Sequence, residues 1–163
     1  MPLVYKIALG MIPGVGDITA RRLVSYAGGV EAVFRESFRS LTRIPGIGEG
    51  LASAIAGHGY LPAAEREAEF VTRNNIRVYF YLDDDYPVRL SQCEDSPVTF
   101  YFRGHADLDS PMILSVVGTR HATENGRRLC QKIVSGLAEH FPGLLIVSGL
   151  AYGIDITAHR AAL

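Results

Sequence analysis

Two short polar loops hold the residue types most able to do chemistry in this chain. Gly118-Thr119-Arg120 and Ser148-Gly149-Leu150-Ala151-Tyr152-Gly153-Ile154-Asp155 each follow an apolar run and precede a helical pattern. Gly118, Gly149 and Gly153 keep side chains out of the path of an approaching group, Thr119 and Ser148 supply hydroxyls, and Arg120 offers a two-pronged contact to a phosphate. Such a set suits a phosphate-bearing ligand held by backbone amides and a cation. Ordinary cofactor and hydrolase chemistry fit less well. The first loop, G-T-R-H-A-T, lacks the later glycines of a dinucleotide fingerprint, no G-x-x-x-x-G-K-[ST] occurs, and Ser148 lacks the preceding glycine of a nucleophile elbow. Asp155 and His159 stand one helical turn apart, as an acid/base pair would. With no nucleophile or metal partner in view, local hydrogen bonds that steady the loop are the expected role. No catalytic residue and no cofactor are expected.

Asp83-Asp84-Asp85 could suggest a metal, but three adjacent carboxylates lack the alternating spacing and twelfth-position glutamate of a calcium loop. A solvated loop is the expected reading. Cys93 and Cys130 lie in unlike contexts without a CxxC or a nearby histidine pair, so both read as ordinary thiols and no metal site is expected.

The elements that must position the two loops are legible from hydrophobic periodicity. Met112 to Val117 is an almost unbroken apolar run, of the kind buried on both faces of a parallel sheet. A helix is predicted from about Thr123 to His140, with Leu129, Ile133, Val134, Leu137 and Phe141 inward, and with Thr123-Glu124 and Pro142-Gly143 as boundary signals. Leu144 to Val147 is a second strand, followed by another helical pattern. Strand, helix, strand, helix is the start of a doubly wound α/β sheet, in which ligands sit beyond the carboxyl ends of the strands. The chain ends at Leu163 inside a helical pattern, so a fragment with an incomplete sheet and an exposed sheet edge is expected.

Upstream, Ile12-Pro13-Gly14-Val15-Gly16 recurs as Ile44-Pro45-Gly46-Ile47-Gly48, with Ala20 and Leu23 matched by Ala52 and Ile55. An internal repeat marks two copies of one unit, here helix, tight turn, helix. These residues resemble the helix-hairpin-helix family, whose tandem copies form a small all-helical, SAM-like domain. The resemblance implies that Gly14 and Gly16 let the backbone approach a phosphate, with Arg21 and Arg22 adding charge. The second copy departs from the pattern, since Glu49 follows Gly48 and no Arg or Lys appears through Tyr60. Both hairpins would equally serve to shape a compact domain that docks on the next. A connecting helix is predicted from about Pro62 to Asn74, with Ala64, Ala68, Phe70 and Val71 inward, and then two strands, one beginning at Ile76 and one at Val98 to Phe102.

A net charge of -1 gives no global sign of nucleic-acid binding. Its distribution is uneven: residues 1–60 hold six Arg/Lys against four Asp/Glu, residues 61–110 five against ten, and residues 111–163 five against three. No apolar run approaches the ~20 residues that cross a bilayer, and Met1 to Gly10 lacks the features of a signal peptide. A cytoplasmic protein without membrane contact is expected.

Asp85-Tyr86-Pro87, Leu90, Asp95-Ser96-Pro97, the strand ending at Gly104, Val117 to Arg120, and Ser148 to Asp155 closed by Ala158-His159 together resemble the DNA-processing protein A (DprA/Smf) family. The resemblance covers nearly the whole chain. It implies an α/β fold: a tandem helix-hairpin-helix domain at 1–60, a connecting helix at 61–75, and the first part of an extended Rossmann-like domain at 76–163. It also implies a non-enzymatic protein of natural transformation and recombination that binds single-stranded DNA, loads the RecA recombinase and forms a homodimer at full length. Carried over by position, Arg120 would contact DNA phosphate, with Gly118, Thr119, Ser148, Gly149 and Gly153 shaping the pocket. Thr119 stands where the family usually has serine. Tyr152 stands where it often has Arg or Lys, which exchanges a charge for a ring on which a base could stack. Rossmann-like proteins that cleave nucleoside monophosphates or sense nucleotides are the alternatives from other classes.

Overall fold

The pairing of apolar stripes decides the architecture, in the computed structural model, of residues 3–163, which are those the structure describes. Residues 1 and 2, the start of the stretch read against a signal peptide, lie outside that range. Two compact units result, one through His105 and one from Ala106 to Leu163.

In the first unit, α1 (Leu3–Met11) and α2 (Asp17–Ala27) flank one hairpin. After α3 (Val30–Val33), α4 (Phe38–Leu41) and α5 (Glu49–Ala56) flank the other. The repeat is reproduced in the backbone of the two hairpins. Gly14 and Gly46 have φ of 86° and 84°, a left-handed turn that a side chain would oppose. Gly16 and Gly48 are extended caps, the Val15 and Ile47 amides each donate back three residues at 3.0 Å, and Gly16 O and Gly48 O accept from Ala20 and Ala52 at 2.9 Å. Ile7, Leu9, Leu23, Val30, Val33, Leu41, Ala52 and Ile55 fill the core between the helices.

The next helix, α6 (Leu61–Arg73), packs along α1. Ala64 and Val71 are buried, but Phe70, expected inward, is 48% exposed because it falls one residue off the 64/68/71 stripe. Strands β1 (Arg77–Phe80) and β2 (Thr99–Phe102) then form an antiparallel pair in the register Arg77 with Phe102 to Phe80 with Thr99, with the one-turn α7 (Val88–Ser91) in their connection. Phe80 and Val98 enter the same core as the helices. By packing, therefore, residues 76–105 lie with the helical unit, whereas the sequence reading grouped them with residues 106–163.

Two ion pairs fasten this hairpin. Lys6 Nζ donates to both Asp83 oxygens at 2.6 and 2.7 Å, and Arg77 pairs with Asp85 at 2.6 Å. The aspartate run is thus partly anchored rather than simply solvated. Among the described residues no group of three or more His, Cys, Asp or Glu could hold a metal ion, and no helix is long and apolar enough to cross a membrane.

The second unit contains β3 (Ile113–Ser115), α8 (Glu124–His140), β4 (Leu145–Val147) and α9 (Ile154–Ala162). Its strands pair in parallel, Ile113 with Leu145 to Ser115 with Val147. Thr123 caps α8, its hydroxyl accepting from Gly126 N at 3.1 Å. Both helices pack on the sheet face carrying Leu114 and Ile146, around Val134, Ile146 and Ala158. The other face has no such cover within this unit, so burial on both faces, expected for Met112 to Val117, is not found: Val117 is 89% exposed and Val147 is also exposed. Of the expected inward face of α8, Val134 is buried while Leu129, Ile133 and Phe141 are exposed.

Candidate nucleic-acid interface

The two polar loops, expected from the sequence to lie at the carboxyl ends of neighbouring parallel strands, do so and touch each other. Ile154 N donates to Thr119 O at 3.2 Å, which joins the start of α9 to the first loop. The glycines permit this contact. A Cβ on Gly118 would come within 2.6 to 2.8 Å of three Ile154 carbons, and one on Gly153 would lie 2.7 Å from Arg120 O and closer still to Thr119 O. On Gly149 it would meet Asp155 Oδ2 at 3.3 Å. The sequence reading took these glycines as room for a ligand; in the structure Gly118 and Gly153 let one loop pack on the other, and Gly149 leaves room for Asp155 within its own loop.

Hydroxyls and carboxylate are similarly committed. Ser148 Oγ accepts from Leu150 N at 3.0 Å and shares a 2.8 Å hydrogen bond with His159 Nε2. Both contacts are satisfied when the serine hydrogen goes to the ring nitrogen. The loop thus turns about Ser148, holding Leu150 at a φ of 51°. Asp155, only 3% exposed, receives Ala151 N on Oδ2 at 3.4 Å, while its Oδ1 has no hydrogen-bond partner. Asp155 and His159 act on the loop separately, so the local role expected for them is what the geometry displays, and no serine-histidine-aspartate relay is assembled. Sequence reasoning missed the Ser148–His159 bond itself, although the spacing of eleven residues across one strand-to-helix turn was available as a signal.

Arg120 and Tyr152 remain free to meet a ligand. Arg120 is exposed and has no hydrogen-bond or ion-pair partner among the described residues. Tyr152 is 84% exposed. Thr119 is exposed too; its oxygen accepts from His121 N at 3.2 Å and its hydrogen stays available. The buried Asp155 carboxylate in the first turn of α9 already answers the helix dipole, so attraction for an anion falls mainly to Arg120, with exposed Arg127 and Arg128 on α8 as further cations of the unit. The Cys130 thiol is pushed up by partial burial and by the Asp155 carboxylate, which disfavours its thiolate form.

The segment that holds the joined loops has counterparts among known proteins. Residues 77–163, more than half of the chain, match the family model described as DNA recombination-mediator protein A. The chain belongs to that family. Residues 7–58 match the SAM-like helix-hairpin-helix tandem. The DNA processing protein DprA of Streptococcus pneumoniae is 44% identical over 82 residues, 50% of this chain and 28% of that protein. Protein Smf of Synechocystis is 28% identical over 98% of this chain and 40% of its own length. The crystal structure of the pneumococcal DprA superposes with a TM-score of 0.58 at 25% identity, covering 98% of this chain and 52% of that one. The chain thus spans less than half the length of these curated relatives. The recombination-mediator match begins at residue 77, close to the expected domain start, although the packing unit runs through His105.

The arginines after the first hairpin make contacts within the chain. Arg21 Nη2 donates to Ser96 O at 2.9 Å and to Ser96 Oγ at 2.7 Å, and its guanidinium lies 4.5 Å from the Tyr81 ring centre. Arg22 Nη1 donates to Pro45 O of the second hairpin at 2.7 Å. Asp17, in the first turn of α2 beside Gly14 and Gly16, accepts from Val98 N at 2.7 Å. The arginines thus clamp the Ser96 segment and the second hairpin to the first. Replacing Arg21 by alanine is expected to lower stability by about 2 kcal/mol, from a lost cation–π contact and charge-assisted hydrogen bonds. DNA affinity should hardly change. Urea unfolding and DNA titration of the variant in parallel check this, and a variant of normal stability but weakened binding would restore Arg21 to a DNA-contacting role.

Proposed function

We propose that this chain carries part of the single-stranded DNA surface of a recombination mediator, a non-enzymatic protein that delivers the strand to a RecA recombinase in transformation and recombination. The observation that carries the reading is an unpartnered, exposed Arg120 and an exposed Tyr152 ring on two loops that Gly118 and Gly153 allow to pack together. A guanidinium takes phosphate while an aromatic face stacks a base, the two contacts by which proteins hold single strands without reading sequence. Thr119, Ser148 and the glycines act as the frame. Homodimer formation, RecA contact and a cytoplasmic site belong to the same reading of the complete protein.

Catalysis fits less well, because Ser148, His159 and Asp155 are engaged in holding the loop. Nucleoside monophosphate turnover by the complete protein tests that point, and release of ribose phosphate would sink the non-enzymatic reading.

Binding is tested by anisotropy of a labelled single-stranded oligonucleotide at about 50 and 200 mM salt. Arg120→Ala should weaken every sequence alike and flatten the slope of log K against log salt by about 0.7, the share of one phosphate contact on a single strand. An unchanged affinity and slope would remove Arg120 from the site. Tyr152→Ala should cost about 1–3 kcal/mol of binding with little change in salt slope, since stacking carries no charge.

A further inference from the structure

The first unit holds an open groove of about 660 Å³ between α1 and α6 that the DNA reading leaves unused. Leu3, Val4 and Ala68 form its apolar floor, and Glu65 and Glu69 stand on it one helical turn apart. Neither glutamate forms an ion pair among the described residues. Like charges at this spacing repel, and a cation laid between them would relieve that repulsion. At the other end of the groove, Arg73 in the last turn of α6 leans back on its own helix, Nε to Glu69 O at 3.4 Å.

We infer that this groove is a docking surface for a cationic amphipathic helix of a protein partner. Three features select that occupant. An apolar floor between two helices receives the apolar stripe of a third, as in helix-in-groove recognition. The acidic pair selects Arg or Lys flanking that stripe, and Arg73 favours a neutral or acidic far end, which sets the direction of the bound helix. Residues 61–110, with ten acidic against five basic residues, are also the part of the chain least suited to a nucleic acid. The site is therefore separate from the Arg120 loops in its chemistry, and the inference stands whether or not they bind DNA.

The test uses the chain as it is and two fluorescent peptides of about 15 residues, some four helical turns. They share one leucine stripe; one carries Arg and Lys beside it and the other Glu. The cationic peptide should bind at least about tenfold tighter, a difference of about 1.4 kcal/mol, and lose affinity as salt rises. Glu65→Lys combined with Glu69→Lys, at exposed positions, should reverse the preference while leaving the thermal transition in place. Backbone NMR shifts on titration should centre on Leu3, Val4 and Ala68, and a single-stranded oligonucleotide should not displace the peptide. Equal affinity for the two peptides, no binding of either, indifference to the double substitution, or displacement by the oligonucleotide would overturn the inference. So would a dimer of this chain that the double substitution dissolves, since a second copy would then be the occupant.

Discussion

Gly153→Ala should unfold much of the second unit or leave it loosely packed. Gly153 has φ 86° and ψ -122° as the cap of α9, a combination open to glycine and avoided by L residues. The added carbon would also press into the Thr119 and Arg120 carbonyls, which are backbone and cannot swing aside. Backbone strain of about 1–3 kcal/mol and overpacking of about 1–3 kcal/mol act together. A stretch the length of residues 106–163 has only about 3–9 kcal/mol to lose at ~0.05–0.15 kcal/mol per residue. Hydrogen exchange of α8 and α9 amides is the direct measurement, and unchanged protection would show that the loops part easily. Gly143→Ala is the control. It shares a positive φ, 92°, but has open space around the position, so it should show the conformational penalty without the collision. D-alanine at 153, introduced by ligation of a synthetic carboxyl-terminal segment, should be tolerated, because a D residue favours this φ and places its methyl on the opposite side.

The same loop shows how far the sequence could be read. Turn chemistry is local, so the glycines at 14 and 46 marked their turns correctly, and the repeat spacing was enough to place both hairpins. Thr123 as a helix cap and the two apolar strands were legible for the same reason. What stayed hidden depends on residues far apart in the chain. Arg21 shows only its charge in the sequence, and its contact with Ser96, 75 positions away, comes with the fold. Ser148 reads as a free hydroxyl until the α9 helix swings His159 back to it. Periodicity alone also misjudged faces: Phe70 is a large apolar residue next to the buried stripe, and Val117 is an apolar residue past the end of a two-stranded ladder. In each case hydrophobicity was read correctly and position relative to the neighbouring element was not.

Asp83 is the clearest such residue, and the second large effect is expected there. Asp83→Ala should lower the stability of the first unit by about 3 kcal/mol, because it strands the Lys6 ammonium, a side chain only 11% exposed, against the Phe80 ring without its counter-ion. Asp83 itself is 22% exposed, which places the loss at the low end of the range for a buried pair. The Phe80 amide, which donates to Asp83 Oδ2 at 3.2 Å, loses its acceptor as well. Removing both charges is a different experiment. Lys6→Met with Asp83→Ala leaves no unpaired ion, and most of the loss should be recovered, since taking two charges out of water costs nearly as much as their attraction returns. Urea unfolding of the two single variants and the double closes the thermodynamic cycle. A coupling near zero, with Asp83→Ala close to wild type, would mean that water reaches the pair and that apolar packing, with the Thr99 hydroxyl on Lys6 O, holds α1 to the hairpin.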